Sequence, residues 1–318
     1  MKPIPFFSFP RREVERIAPL SSSFLSNWEA ARPGVLDDNS IDVFLPNSRT
    51  EKQGKNTAYE LFERVETVKP DTMIVVMSWL ELQLADGQRH GIARLIDAVR
   101  SKYPNNPVVY SWNHDENEAN IDELQCLLPN EFCLAYNTSK PSSQDILVPF
   151  WNIETRQIWN PNDDRTERFG FIGYVGGVGV RQKMYAAFSG KPGCHVSATE
   201  RMGRMEHGEY IRTMLNWDFA LCPRGGGLSS YRLYEAIQCG CVPILFADDA
   251  ALPYPDLDWN NIVMRMPEHW AENFGLVTKL ADKIDVKNRR KRIAEVRERL
   301  TLAGVQREIA KRIGEYLK

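Results

Sequence analysis

Short apolar runs alternate with stretches of helical period along most of this chain, and turn residues separate them. In the first half, the runs at 73–77 (MIVVM), 107–111 (PVVYS), 132–135 (FCLA) and 146–148 (ILV) suit buried strands, and a further strand is expected over 41–45. Between them, 88–101 places Ile92, Leu95, Ile96 and Val99 on one side of a helix, and shorter helices are expected over 57–68 and 121–128. Residues 1–40 carry no clear period: PIPFFSFP is apolar but broken by prolines, and Arg32-Pro33-Gly34 reads as loop. In the second half, strands are expected at 169–173, 193–197, 218–222 and 242–246, with helices starting at Arg181 and running over 206–215 and 231–239. The segment 286–318 is helical throughout, with an apolar stripe of Ile293, Val296, Leu300, Val305, Ile309 and Ile313 and a break near Gly304. Residues 150–168 are polar and aromatic without period and read as an interdomain linker. Strands alternating with helices predict parallel sheets covered on both faces, an α/β fold.

At 318 residues the chain is long enough for two domains. The expected division is 1–160, 161–285 and a C-terminal helical segment, 286–318. A net charge of −2 gives no global attraction to nucleic acid or to an anionic membrane. The six cysteines lie mostly in apolar runs and show no paired framework, which suits small buried thiols in a reducing compartment. Cys239-Gly-Cys241 has no second pair with which to hold a metal, and the five histidines lack ligand spacing. There is no secretory leader pattern and no apolar run of the roughly 20 residues a membrane helix needs.

The chemistry concentrates at 218–259. A strand ends at Pro223, then Arg224 and Gly225, Gly226 and Gly227 lead to Ser229 or Ser230, either of which can cap a helix ended by Gly240. The glycines let backbone approach a ligand closely, and the helix start presents N–H groups and the positive end of its dipole, which suits a diphosphate. Arg224 can fork onto phosphate oxygens. On a helical wheel Glu235 shares a face with Tyr231, Arg232 and Cys239, opposite Leu233 and Ile237, so packing of the aliphatic side on a sheet would turn Glu235 toward a cleft and a ribose. The alternative is a glycine turn carrying an Arg and a Glu in a surface ion pair.

CPRGGGLSSYRLYEAIQCGCVPIL followed by LPYPDLDW resembles the exostosin family of glycosyltransferases. FGFIGYVGGVGVRQKMYAAF upstream is similar to that family's strand, glycine loop and arginine helix, so the likeness runs from about 169 to 268. Tyr231 stands where the family usually has Phe, and Gly226 where Tyr is common. The resemblance implies a GT-B fold: two Rossmann-like α/β/α domains facing across a cleft, with the C-terminal helix crossing back to the first. It also implies an inverting, metal-independent transfer from a nucleotide-diphosphate sugar, most often a UDP-sugar, to a glycan hydroxyl. The donor side would be Arg181, Arg224, Gly225, Gly226, Ser229, Ser230, Tyr231, Arg232 and Glu235. No cofactor or metal is implied, and Asp256-Leu257-Asp258, although it spells a metal-binding pattern of another transferase fold, is read as a structural turn. Animal exostosins are membrane-anchored in the secretory pathway. Lack of an anchor here leads to the expectation of a cytoplasmic enzyme of bacterial or viral type, with the basic run 287–292 available to an anionic surface.

The acceptor side is less marked. Asp115, in Asn113-His114-Asp115-Glu116 just beyond the strand at 107–111, is the candidate general base. Glu116 is its alternative, and Glu81 and Asp86 compete. A helix cap or solvated acidic loop would use the same residues. Trp79 and Trp112 suit either sugar stacking or a core. Two further readings remain open at this level: a GDP-sugar transferase of the fucosyl type with the same architecture, and a non-enzymatic glycan-binding protein on a degenerate transferase scaffold.

Overall fold

The computed structural model describes residues 6–7, 75–77, 90–102, 104–105, 108–112, 124, 126–136, 138–149, 159–200 and 205–316. The chain divides into two compact units, 1–148 with 302–318, and 149–301. Each is an α/β body built on a parallel sheet.

The sheet of the first unit runs in chain order: β1 (Phe6–Phe7), β2 (Val75–Met77), β3 (Val108–Trp112), β4 (Glu131–Ala135) and β5 (Asp145–Leu147), all parallel. Helix α1 (His90–Lys102) connects β2 to β3 and buries Ile96 and Val99. The edge strand β1 comes from the proline-broken N-terminal run, where no element was expected. Its two residues are too few to show a period. The strand expected at 41–45 and the helix at 57–68 lie outside the described residues, as does most of 121–128; within the latter, Cys126–Leu128 is not helical. Among the described residues two carboxyl side chains, those of Glu131 and Asp145, are buried in this sheet. The Glu131 carboxylate accepts Arg100 Nε at 2.9 Å, Arg100 Nη2 at 2.8 Å, the Tyr110 hydroxyl at 3.1 Å and the Leu128 N–H at 2.7 Å. Burial opposes its ionisation, but those bonds outweigh it and hold its pKa below the ordinary value. With its acceptor sites so occupied, Glu131 is a structural tie.

The second unit has strands β6 (Glu167–Tyr174), β7 (Cys194–Thr199), β8 (Trp217–Pro223), β9 (Val242–Phe246) and β10 (Met264–Met266), in the order β10-β9-β8-β6-β7. Chain order therefore reverses direction between β6 and β8. On one face α2 (Gly179–Phe188) and α5 (Phe274–Ala281) enclose an aromatic cluster in which Phe169 meets Phe188, Phe219 and Phe274 at ring-centroid distances of 5.6, 5.5 and 6.4 Å. On the other, α3 (His207–Met214) and α4 (Tyr231–Gln238) cover Ile172, Trp217, Ala220 and Cys222 with Ile211, Met214 and Ala236. Gly170 is required there, because the Trp217 indole fills the space a Cβ would take.

Residues 159–168, expected as linker, belong to this unit. Trp159 Nε1 donates to Gln238 O at 2.9 Å, and Arg165 donates to Cys239 O and Trp217 O, both at 2.8 Å. A stretch without period can still be fixed when its polar groups serve as partners for helix and strand ends, and periodicity does not report that. The C-terminal segment is α6 (Val286–Val296), a 3₁₀ turn at Arg297–Leu300, and α7 (Leu302–Tyr316), which falls in the first unit. Its break is at Thr301, three residues before Gly304. Ile293, Leu300, Val305 and Ile309 of the expected stripe are buried.

Candidate functional site

In open parallel sheets, ligands bind beyond the carboxyl ends of the strands where chain order reverses, because the connections there leave toward opposite faces and open a crevice. In the second unit that point lies between β6 and β8. After β6 the chain passes through Gly176 and Gly177 into α2, on the aromatic face. After β8 it passes through Arg224 and the three glycines into α4, on the opposite face. Gly177 takes φ +80°, which favours glycine.

Arg181, in the first turn of α2, reaches back to both loops. Its Nε donates to Arg224 O at 2.9 Å and its Nη1 to Tyr174 O at 3.3 Å. A Cβ at Gly225 would lie 3.2 Å from Arg181 Nη2, so glycine there lets the guanidinium lie against the loop. Neither α2 nor α4 has a side-chain cap. Val178 at the N-cap of α2 has no acceptor, and Ser230, at the N-cap of α4 in extended backbone, makes no capping bond. Ser229 is instead hydrogen-bonded to the Tyr234 side chain. The expected serine cap is therefore not made, and both dipole ends face the crevice without a side-chain acceptor.

Arg224 is braced by groups the sequence reading did not single out. Its N–H donates to Phe246 O at 3.1 Å. Its Nε donates to Glu268 Oε1 at 2.6 Å, and its Nη1 lies 3.3 Å from Gly225 O. The Glu268 N–H donates in turn to Asp248 Oδ1 at 3.0 Å. The ends of β8, β9 and β10 are thus tied together by Arg224, Asp248 and Glu268. Glu268 was missed because β10 is only three residues, with Arg265 at its centre, and gives no readable apolar run. Its signal would have been its position just after a strand.

The rest of the expected donor set separates. Gly226 is exposed at the loop tip, and Tyr231 is exposed at the start of α4. Arg232 turns inward: it donates to Ile172 O at 2.6 Å, lies 4.2 Å from the Phe171 ring centroid, and occupies room left by Gly173. Glu235 does not stand on an open face, because α4 is buried from Arg232 to Ile237 between the sheet and α3. Its carboxylate accepts the Tyr210 hydroxyl at 3.0 Å. Burial and the Glu235 charge push the Tyr210 phenol well above its ordinary pKa. Asp115 and Glu116 lie outside the described residues, as do Glu81, Asp86 and Trp79. Trp112 ends β3.

Asp256 forms a two-pronged pair with Arg299 at 2.7 and 3.1 Å, and Asp258 accepts Asn261 Nδ2 at 2.6 Å at the start of a 3₁₀ turn. Asp256 is thus tied to the 3₁₀ turn at Arg297–Leu300, and Asp258 to the turn it begins. Among the described residues no group of three or more His, Cys, Asp or Glu is placed to hold a metal. Cys239 and Cys241 are buried thiols whose pKa burial raises, that of Cys241 to about 11.

Residues 107–281 match the Exostosin GT47 domain. The chain is 39% identical over 66 residues to a probable glucuronosyltransferase of Oryza sativa subsp. japonica, a match covering 20% of this chain and 16% of the relative. It is 32% identical over 91 residues to the exostosin-1 homolog of Caenorhabditis elegans, covering 28% and 22%. The chain thus spans about a fifth of the length of these curated relatives. Among solved structures, the GtfA/B complex aligns at a TM-score of 0.49 with 13% identity, over 90% of this chain and 65% of that one. These findings overturn the expected cytoplasmic location of bacterial or viral type, since the matched relatives are plant and animal proteins of glucuronosyltransferase and exostosin type. Among the described residues no helix is long and apolar enough to cross a membrane. With more than half its length in that match, carrying both the arginine helix and the glycine loop of the switch point, the chain belongs to the exostosin GT47 family of glycosyltransferases.

Proposed function

We propose that this protein transfers a sugar from a nucleotide-diphosphate donor, a UDP-sugar first among them, to a glycan hydroxyl, with inversion and without a metal. The observation that carries the reading is the convergence of Arg181, Arg224 and the uncapped starts of α2 and α4 on the β6/β8 switch point. In the reaction the acceptor oxygen bonds to the anomeric carbon while the bond from that carbon to the diphosphate breaks and its electron pair leaves with the diphosphate. The acceptor proton passes to a carboxylate, for which Asp115 is proposed, with Glu116 as the alternative. Negative charge builds on the leaving diphosphate, where two guanidinium groups and two helix dipoles are the stabilising groups. Removing one such preorganised donor costs about 10²–10³ in rate.

The similarity to probable glucuronosyltransferases of Oryza sativa subsp. japonica puts UDP-glucuronic acid first among donors to try. The test is release of UDP from a panel of UDP-sugars, with GDP-fucose alongside, in EDTA and with glycan acceptors present. The anomeric configuration of the product is then read by NMR. Acceptor-dependent UDP release in EDTA with an inverted product supports the proposal. Turnover of GDP-fucose alone would move the donor to the guanosine series, and glycan binding without turnover of any donor would make the chain a binding scaffold.

A further inference from the structure

Resting on the donor-site reading above, we propose that Glu268 is a positioning residue that sets the Arg224 guanidinium for the diphosphate, with Asp248 holding Glu268 in turn. An arginine on a glycine loop has a long side chain with many rotamers and a backbone that does little to restrict it. Here both ends are fixed. The Arg224 N–H is bonded to Phe246 O at the end of β9, and its Nε is bonded to Glu268 Oε1 at 2.6 Å.

Which nitrogen the carboxylate takes decides what the pair can do. A carboxylate spanning both terminal nitrogens would occupy the edge that forks onto phosphate, and would compete with the donor. Glu268 instead takes the inner Nε, fixing the guanidinium plane while the Nη edge stays on the far side from it. Nη1 keeps only a long contact of 3.3 Å to Gly225 O. Glu268 is itself seated: its N–H donates to Asp248 Oδ1 at 3.0 Å, and each of the two residues lies two positions beyond a strand end rather than on a long loop. The pair is only partly exposed, with 30% of the Arg224 side chain and 22% of the Glu268 side chain open, so solvent screens it less than a surface bridge. A phosphate arriving at the Nη edge meets an arginine already oriented, which spares the ordering cost of binding.

The test uses the full chain and two probes, UDP and uridine, which differ by the diphosphate alone. Arg224→Ala is expected to weaken UDP by about 10- to 100-fold, as for a lost charge-assisted hydrogen bond. Glu268→Ala is expected to weaken UDP about tenfold, to leave uridine within about twofold, and to add nothing on top of Arg224→Ala. Glu268→Gln, which keeps an acceptor at the same place, should fall between. If Glu268→Ala does not fold, Glu268→Gln carries the same comparison of UDP with uridine. Weakening of UDP and uridine alike would make Glu268 a general structural residue and overturn the inference. Unchanged or tighter UDP binding in Glu268→Ala, with UDP binding lost in Arg224→Ala, would overturn it while the donor site stands. If Arg224→Ala leaves UDP binding intact, or the wild type binds no UDP, the donor-site reading fails and the inference with it.

Discussion

Arg224 and Arg232 flank the same glycine loop and have opposite surroundings. The Arg224 guanidinium lies at the edge of the crevice beside Glu268, whereas that of Arg232 is buried on Ile172 O and the Phe171 ring. Arg232→Ala should therefore act on stability. It orphans a buried carbonyl and removes a positive charge from the neighbourhood of Glu235, a loss of about 3 kcal/mol that a urea midpoint would register. Arg224→Ala should leave the midpoint within about 1 kcal/mol, as for a partly exposed pair, and should show its effect in nucleotide binding. The sequence could not separate the two, because both are arginines within one turn-and-helix motif, and inward or outward direction depends on the strand each side chain meets. Glu235 shows the same limit. Its position on the wheel was readable, but α3, which supplies Tyr210 and covers that face, is a separate element whose placement no local pattern reports. The glycine loop and Arg181 were readable, because the strand, loop and helix order fixes where they must lie.

Helix α4 is held at one end and left open at the other. Its C-terminus closes with Cys241 N donating to Ala236 O at 2.9 Å and Gly240 N to Ile237 O at 3.1 Å, with Gly240 at φ +67°. Trp159 and Arg165 then take the Gln238 and Cys239 carbonyls. With its carbonyl end anchored, the helix can keep its amide end uncapped toward a ligand. A Cβ on Gly240 would lie 2.5 Å from the Trp159 ring, whereas one on Gly190, at φ +70°, would meet open space. Gly190→Ala should thus cost about 1 kcal/mol from backbone strain alone, and Gly240→Ala about 2–4 kcal/mol from strain plus displacement of the indole. Equal midpoints in thermal or urea unfolding would show that Trp159 does not brace the helix. The element itself was legible, since a serine start and a glycine stop bound an amphipathic run. Its anchors were not, because they come from the aperiodic 159–168 segment.

At the scale of the molecule, the alternation of apolar runs and helical stretches was enough to expect parallel α/β units. Strands of five residues or more declare themselves by apolar content. Phe6–Phe7 and Met264–Met266 do not, and so β1 and β10 were missed. The interior also sets a pH limit. Burial raises the pKa of Cys222, Cys239, Cys241, Tyr110, Tyr210 and Tyr234, with Cys241 reaching about 11. Unfolded thiols ionise near pH 8.5, so above that pH the unfolded chain binds fewer protons than the folded one, and stability falls as pH rises. Their contribution is complete below about pH 8 and is lost progressively through pH 11, so the urea midpoint should drop across that window. A midpoint flat to pH 11 would mean that these groups are not buried as neutral acids. The most direct test of the donor site at the β6/β8 switch point is the thermal midpoint of the full chain in EDTA, with saturating UDP, GDP, ADP and CDP in turn, for wild type and Arg181→Ala. At about 100 times its dissociation constant a ligand specific to the folded state adds about 2.7 kcal/mol, a shift of several degrees. A rise with UDP that disappears in Arg181→Ala is the result expected. No shift with any of the four nucleotides, with or without magnesium, would contradict a diphosphate site at this point of the fold.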